Sequence, residues 1–176
     1  LVADQIFRLT NTGFRSLSLV NGEPCFPFNE HHNNICLSEA VSVLCLDNNS
    51  EGALAEIKGF GCSSDGHSMT APKPDGSGPM TSMKMALDEA GVTAQQLDWI
   101  HAHGTGSVQN DRAEAAAIKQ LEIPCQVTST KGVHGHSLAA SGVLESMICV
   151  MALQKQQVLP TCGSEPSHFN VILETE

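Results

Sequence analysis

Basic residues are scarce in this chain. Of its 176 residues, 9 are Lys or Arg against 19 Asp or Glu, a formal net charge of −10. The positive field that gathers nucleic-acid phosphates is therefore absent. No local patch replaces it, because Lys58, Lys73, Lys84, Lys119, Lys131 and Lys155 are scattered. Paired cysteines are lacking too. Cysteines at 25, 36, 45, 62, 125, 149 and 162 form no CxxC pair and no regular spacing, which fits reduced thiols in a cytoplasmic protein better than a disulfide framework. No run approaches the roughly 18 uninterrupted apolar residues of a membrane span. The opening "LVADQIFRLT" carries Asp4 and Arg8 within its short apolar stretch, so it is no signal peptide. An initiator methionine is missing as well, and the chain is expected to begin part way through a longer polypeptide. There is no internal repeat.

What remains is a chain of ordinary single-domain length, able to bury a core. Its periodicity alternates strands and helices. "AVSVLCL" (40–46) reads as a buried strand, "DNNSEG" as a turn, and "ALAEIKGFG" (53–61) as a second strand, together a hairpin. Residues 63–79, rich in Gly, Pro and Ser, read as a long loop of the kind that is often functional. Residues 80–90 have helical spacing and stop at Gly91. "LDWIHAH" (97–103) reads as a strand. Asp111 is expected to cap the alanine-rich helix 112–121, with Glu114 three residues on completing a capping-box-like pair. "CQVTST" (125–130) is then a strand, 137–156 a largely buried helix, and "HFNVILE" (168–174) a closing strand. The order β-β-α-β-α-β-α-β describes an α/β layered domain with a partly parallel sheet.

Catalytic groups in such sheets gather where strands end and helices begin. Two histidine stretches stand there: "HAHGTG" (101–106) and "STKGVHGHSLAASG" (129–142). Gly104 ends the first strand and leaves His103 at its rim. Gly135 and His136 are expected at the start of the long helix, where a helix N-terminus and the nearby Lys131 oppose imidazolium formation and hold His136 neutral. A neutral imidazole donates a hydrogen bond to a developing oxyanion without giving up its proton. The plain alternative is a set of buried histidines satisfied by backbone carbonyls. A metal reading also exists, because His-x-His occurs twice and Asp111 offers a carboxylate, but no carboxylate partner for each ligand is evident.

"HAHGTGSVQNDRAEAAAI" followed by "STKGVHGHSLAASGVLESM" resembles the C-terminal half of a β-ketoacyl synthase, the condensing enzyme of fatty acid and polyketide synthesis. "TGFRSLSL", "PCFPFN", "LSEAVSVLCL" and "GFGCSSDGHSMTAPKPDG" follow that family in the same order, and the likeness runs from about Gly13 to Thr161. It implies a thiolase-like α/β fold, C-terminal half, a mixed sheet with packed helices, and residues 1–176 as a single such domain cut at both ends. It implies decarboxylative condensation of acyl and malonyl thioesters on acyl carrier protein. By the same resemblance His103 and His136 are the two active-site histidines that bind the malonyl thioester oxygen, and Lys131 is their electrostatic support. Thr105 and Ser107 match positions whose hydroxyls meet the pantetheine arm. Asp111, Glu114 and Glu145 match carboxylates that cap or pair behind the site, whereas His101 and His134 match no catalytic position. No cofactor or metal is implied, since the substrates ride on the phosphopantetheine of the carrier. The implied partners are acyl carrier protein and the N-terminal ketosynthase half or a second ketosynthase subunit.

The likeness also has gaps. "FGCSSD" imitates the family's nucleophile turn at Cys62, but it lies well after the place of that nucleophile, which is expected upstream of Leu1. Cys62 is accordingly expected to be a partly buried, unreactive thiol. The family's glycine-rich pocket loop after "VLPT" has no counterpart in "CGSEPSHFNVILETE". "FNEHHNNICLSE" puts His32 in place of an arginine and Asn34 and Ser38 in place of glycines. These departures leave open an alternative function, a non-catalytic partner similar to a chain-length factor, and a half-domain of this kind should expose apolar surface that pairs with something.

Overall fold

The computed structural model describes residues 1–29, 31 and 33–161. The proposed strand 168–174 and the substituted His32 lie outside these residues. Four short strands and five helices are present among the described residues. Strand β1 (Val2–Asp4) is followed by helix α1 (Arg8–Ser16), and β2 (Ala40–Ser42) by α2 (Ser77–Ala90). A 3-10 turn (Ala94–Gln96) leads to β3 (Trp99–His101), α3 (Val108–Gln120) and β4 (Gln126–Thr128). The short α4 (Lys131–His134) and a 3-10 turn (Leu138–Ala140) precede α5 (Ser141–Lys155).

The part that positions the site is the unit β3–α3–β4. Its strands are parallel, with Ile100 opposite Val127 and His101 opposite Thr128, and parallel neighbours need a crossover such as α3 between them. Ala102, Ile118 and Val127 form the core here with Phe28, and Met83, Ile100 and Ile123 pack against them. Small residues let α2 come close, for Gly76 at its N-cap lies against the backbone of Ala113 and Ala117, where a Cβ would collide.

The expected hairpin does not form. Strand β2 pairs antiparallel with β1, Val2 opposite Ser42 and Asp4 opposite Ala40. Residues 53–61 form no strand, and 59–61 lie against α2 instead. Gly59 and Gly61 lie flat on the helix backbone at Ser82 and Ala86, and the Phe60 N–H donates to Glu89. Alternating apolar residues describe an extended segment equally well whether its partner is a strand or a helix. Helix α2 begins three residues before the expected start, and Gly91 ends it in the left-handed region, φ 66°.

The long helix also departs from expectation. It begins at Ser141, after a break at His136 and the 3-10 turn, and only Ser141 and Ala152 are buried along it. Leu138–Lys155 has the length and mean hydropathy, 1.3, of a membrane-crossing helix. Glu145 within it is nevertheless ion-paired to Lys131. Large apolar side chains lie exposed on α5, as at Leu153, and elsewhere, including Leu9, Val41, Leu46, Ile57 and Phe60, so the described residues leave much apolar surface uncovered.

Candidate active site

The first loop leaves β3 at Ala102, whose N–H donates to Thr128 O at 2.7 Å. Gly104 then turns the chain at φ +39°, and a Cβ there would stand 2.5 Å from the Ser129 Cβ and 2.9 Å from the Phe28 ring. Glycine meets both demands. Two carboxylates of α3 hold the turn from below. Glu114 accepts the N–H groups of His103 (2.7 Å) and Gly104 (2.9 Å). Asp111 accepts those of Phe28 (2.7 Å), Thr105 (3.0 Å) and Gly106 (3.2 Å).

The expected capping box is thereby corrected. Helix α3 begins at Val108, with Ser107 at its N-cap, so Asp111 falls inside the first turn and both acids face the preceding loop. Burial pushes the Glu114 carboxyl up to about 7, against the pull of its two backbone donors. Asp111 is raised for the same reason. Thr105 and Ser107 are buried and bond each other, Oγ1 to Oγ at 2.9 Å.

The second loop brings Lys131 and His136. Lys131 is fully buried, and its ammonium donates to the His103 carbonyl oxygen at 2.7 Å, faces the His103 Nδ1 at 3.3 Å and pairs with Glu145. The rings of His103 and His136 meet edge to face, centroids 5.1 Å apart at 88°. His136 does not sit at the start of the long helix. Its Nδ1 accepts the Leu138 N–H at 3.0 Å and lies 3.0 Å from Ser141 Oγ.

Both rings are held neutral. Burial first, then the Lys131 ammonium, brings His103 down to about 3 and His136 to about 4. A neutral ring whose Nδ1 accepts a hydrogen bond carries its proton on Nε2. Leu138 N–H imposes that tautomer on His136, and the Lys131 ammonium imposes it on His103. His103 is exposed and His136 half-buried, so the pair lies next to solvent while the cation beside it is buried. Donors fixed in this way stabilise a negative oxygen with little reorganisation.

His101 and His134 are occupied elsewhere: each Nε2 lies 2.8 Å from Thr130 Oγ1, and the Trp99 ring stands edge-on to His101. The four imidazoles thus divide into two pairs, and Asp111 is taken up by backbone donors. Among the described residues no three His, Cys, Asp or Glu side chains are grouped to hold a metal ion. Cys62 is exposed, contrary to the partial burial expected of it.

Sequence reasoning missed several supports of the site. Cys25 is buried under the first loop and donates to Thr105 O at 3.2 Å, with burial raising its thiol to about 12. Ser141 backs His136, and Asn33 caps α3 from a distant loop, its Oδ1 accepting the Val108 N–H at 3.0 Å. The signal for Ser141 was its place in "SLAASG"; no local signal marked Cys25 or Asn33.

The profile of the β-ketoacyl synthase C-terminal domain matches residues 54–165. The chain is 34% identical over 160 residues to nodulation protein E of Rhizobium sp. (strain N33), covering 85% of this chain and 39% of that protein. It is 36% identical over 161 residues to 3-oxoacyl-(acyl-carrier-protein) synthase 2 of Vibrio cholerae serotype O1, covering 84% and 39%. The chain thus spans about two-fifths of these relatives. Among solved structures, the ishigamide ketosynthase/chain length factor superposes with a TM-score of 0.88 at 30% identity, over 97% of this chain and 44% of that one. The backbone is therefore that of a thiolase-like ketosynthase. A profile match across most of the chain agrees with the paired histidines over a buried lysine: this chain belongs to the β-ketoacyl synthase family and represents its C-terminal domain.

Proposed function

We propose that this domain supplies the decarboxylating half of a condensing site that joins malonyl and acyl thioesters on acyl carrier protein. The observation that carries the reading is the contact of two neutral imidazoles over the Lys131 ammonium. A malonyl thioester oxygen set against the two Nε2–H donors is polarised. As the carboxylate leaves as carbon dioxide, the electron pair of the breaking bond passes into the enolate, and its oxygen gathers negative charge at those donors. Neutral rings suit this step because a donor that kept an imidazolium proton loosely held would quench the carbanion. Lys131 supports the charge from behind while fixing the His103 tautomer. The carbanion then attacks an acyl group held as a thioester on cysteine, and the thiolate leaves.

Among the described residues no cysteine thiol is hydrogen-bonded to either histidine, the Cys36 contact with His136 being through backbone atoms alone, so that cysteine is assigned to the rest of the protein: an N-terminal ketosynthase half or a second subunit. The exposed apolar surface suits such a partner, and the unpaired cysteines suit a reducing compartment such as the cytoplasm. Thr105 and Ser107, which the resemblance sets against the pantetheine arm, are buried and bonded to each other, so that role requires their loop to open. A second reading, a non-catalytic subunit like a chain-length factor, rests on the departures at Asn34 and Ser38. The residue in the nucleophile turn of the whole protein separates them, cysteine for the enzyme and glutamine for the partner.

The test is carbon dioxide release from malonyl-carrier by the whole protein. His103→Ala and His136→Ala are each expected to lower the rate by about 10²–10³-fold while acyl loading of the cysteine survives. Release unchanged in both variants would overturn the proposal.

A further inference from the structure

Two loops carry the reactive groups, and the backbone of a third segment, residues 34–38, touches both. The Asn34 N–H donates to Gly106 O at 3.1 Å. Two residues on, Cys36 O accepts the His136 N–H at 2.6 Å, and the Ser38 N–H donates to His136 O at 3.0 Å. Leu37 and His136 thereby form a parallel bridge. The contacts are close enough to require glycine at both loops. A Cβ on Gly106 would lie 2.5 Å from Asn34 O, and one on Gly135 would lie 2.8 Å from Cys36 O.

The segment is itself held by a side chain. Asn34 is 2% exposed. Its Oδ1 accepts the Asn21 N–H at 2.8 Å, its Nδ2 donates to Glu23 O, and the next residue's N–H donates to Leu19 O at 2.7 Å. Every polar atom of a buried carboxamide is thus engaged, which makes it a rigid anchor. The resemblance sets a glycine, which has no such side chain, at this place.

We propose that Asn34 is a positioning residue: its buried carboxamide fastens segment 34–38 to the 19–24 turn and so fixes His136 relative to the His103–Ser107 loop. The catalytic consequence rests on the decarboxylation reading above. An error of about 1 Å in such a placement costs up to about a hundredfold in rate.

The experiment uses the whole protein and two readouts. In the unmodified protein, native-state amide exchange across a urea series is expected to show Asn21, Asn34, Ser38 and His136 opening as one unit. Asn34→Ala, and the milder Asn34→Gly, are expected to speed exchange at Ser38 and His136 by about tenfold or more, together with 21–24. Carbon dioxide release should fall in kcat by about tenfold, with KM for malonyl-carrier held within about twofold. Separate opening of His136 in the unmodified protein, or variants whose exchange changes stop at residue 35, would overturn the positioning role, and the first of these needs no variant to fold. An unmodified protein that releases no carbon dioxide yet opens as one unit would overturn the decarboxylation reading alone.

Discussion

Lys131 Nζ stands 2.7 Å from the carbonyl oxygen of His103 and 3.3 Å from the ring nitrogen Nδ1 of the same residue. One ammonium therefore fixes both the backbone and the tautomer of His103, and through Glu145 it ties α5 to the site. A charge at this depth is tolerable only while paired. Lys131→Met strands Glu145 and is expected to cost about 3–5 kcal/mol of stability. Replacing both, as Lys131→Met with Glu145→Leu, should recover much of that loss without restoring carbon dioxide release. Urea unfolding of the two single variants and the double variant closes the cycle; a cost below about 1 kcal/mol for the lysine variant would contradict the geometry.

Stability should fall as pH drops below neutral. His103 at about 3, and His101 and His136 at about 4, lie below the ordinary 6.5, chiefly through burial and then through Lys131. Between about 6.5 and 4.5 the unfolded chain therefore binds protons at three imidazoles that the folded chain leaves neutral. Glu114 opposes them, because burial raises its carboxyl from 4.5 to about 7, and the folded chain holds a proton there that the unfolded chain releases. Asp111, also raised by burial, opposes them too, and His134, lowered by burial, joins them; four imidazoles against two carboxyls leave net proton uptake on unfolding. The urea midpoint is expected to decline across this window, with a steeper decline in Glu114→Gln and a shallower one in His136→Asn. A midpoint that rises on acidification would refute the assignment of neutral imidazoles.

The turn at Gly104 is expected to be intolerant. Alanine there meets a left-handed backbone at φ +39° as well as Ser129 and Phe28. Strain alone is worth about 1–3 kcal/mol, and displacement of the loop moves His103 away from His136. Gly104→Ala should lower both the urea midpoint and the release of carbon dioxide. By contrast, Gly52→Ala, in open space, should affect stability only through its own positive φ.

The proposed reactive groups drew notice because they stand in two short motifs that follow strands, His103 just after β3, and Lys131 and His136 in the stretch after β4. Their supports were harder to read. Asp111 and Glu114 have the spacing of a capping box, yet α3 starts at Val108, and the same spacing places both acids on one helical face beneath the loop. Helix α1 was missed because "RLTNTGFRS" holds two threonines, an asparagine and a glycine, all weak helix formers. The false hairpin came from residues 53–61, whose alternation reports extension but not the identity of a neighbour. Asn34 was noted only as a departure from glycine; its anchoring role escaped notice since its partners at 21, 23 and 106 are separated from it along the chain.

Cysteine reactivity gives a test that is independent of turnover. Cys45 and Cys62 are exposed, whereas burial raises Cys25 to about 12 and Cys149 to about 11. Iodoacetamide near neutral pH is expected to label Cys45 and Cys62 no faster than a small-peptide thiol, and Cys25 and Cys149 more than about tenfold slower. Rapid, selective labelling of Cys62 would reopen its rejection as a nucleophile.

The remaining prediction separates the two halves of the reaction. Carbon dioxide loss needs only a polarised thioester oxygen, and in the proposed reading His103, His136 and Lys131 furnish the donors and the cation for it. Bond formation needs in addition an acyl thioester within reach of the carbanion. Among the described residues no thiol is hydrogen-bonded to a histidine, and those of Cys25 and Cys149 are raised by burial. The 176 residues by themselves are therefore expected to release carbon dioxide at most, their enolate being quenched by a solvent proton. Elongated product should appear only when a polypeptide bearing the cysteine turn is supplied, in cis or in trans, and its apolar face should then cover residues such as Val41, Leu46 and Ile57. The assay is acyl-carrier elongation by the chain alone against the chain with that polypeptide, with deuterium from heavy water in the acetyl product marking quenched enolate. Clear elongation by the chain alone would overturn the division of labour, and a Cys62→Ala variant would then show whether that thiol had carried the acyl group.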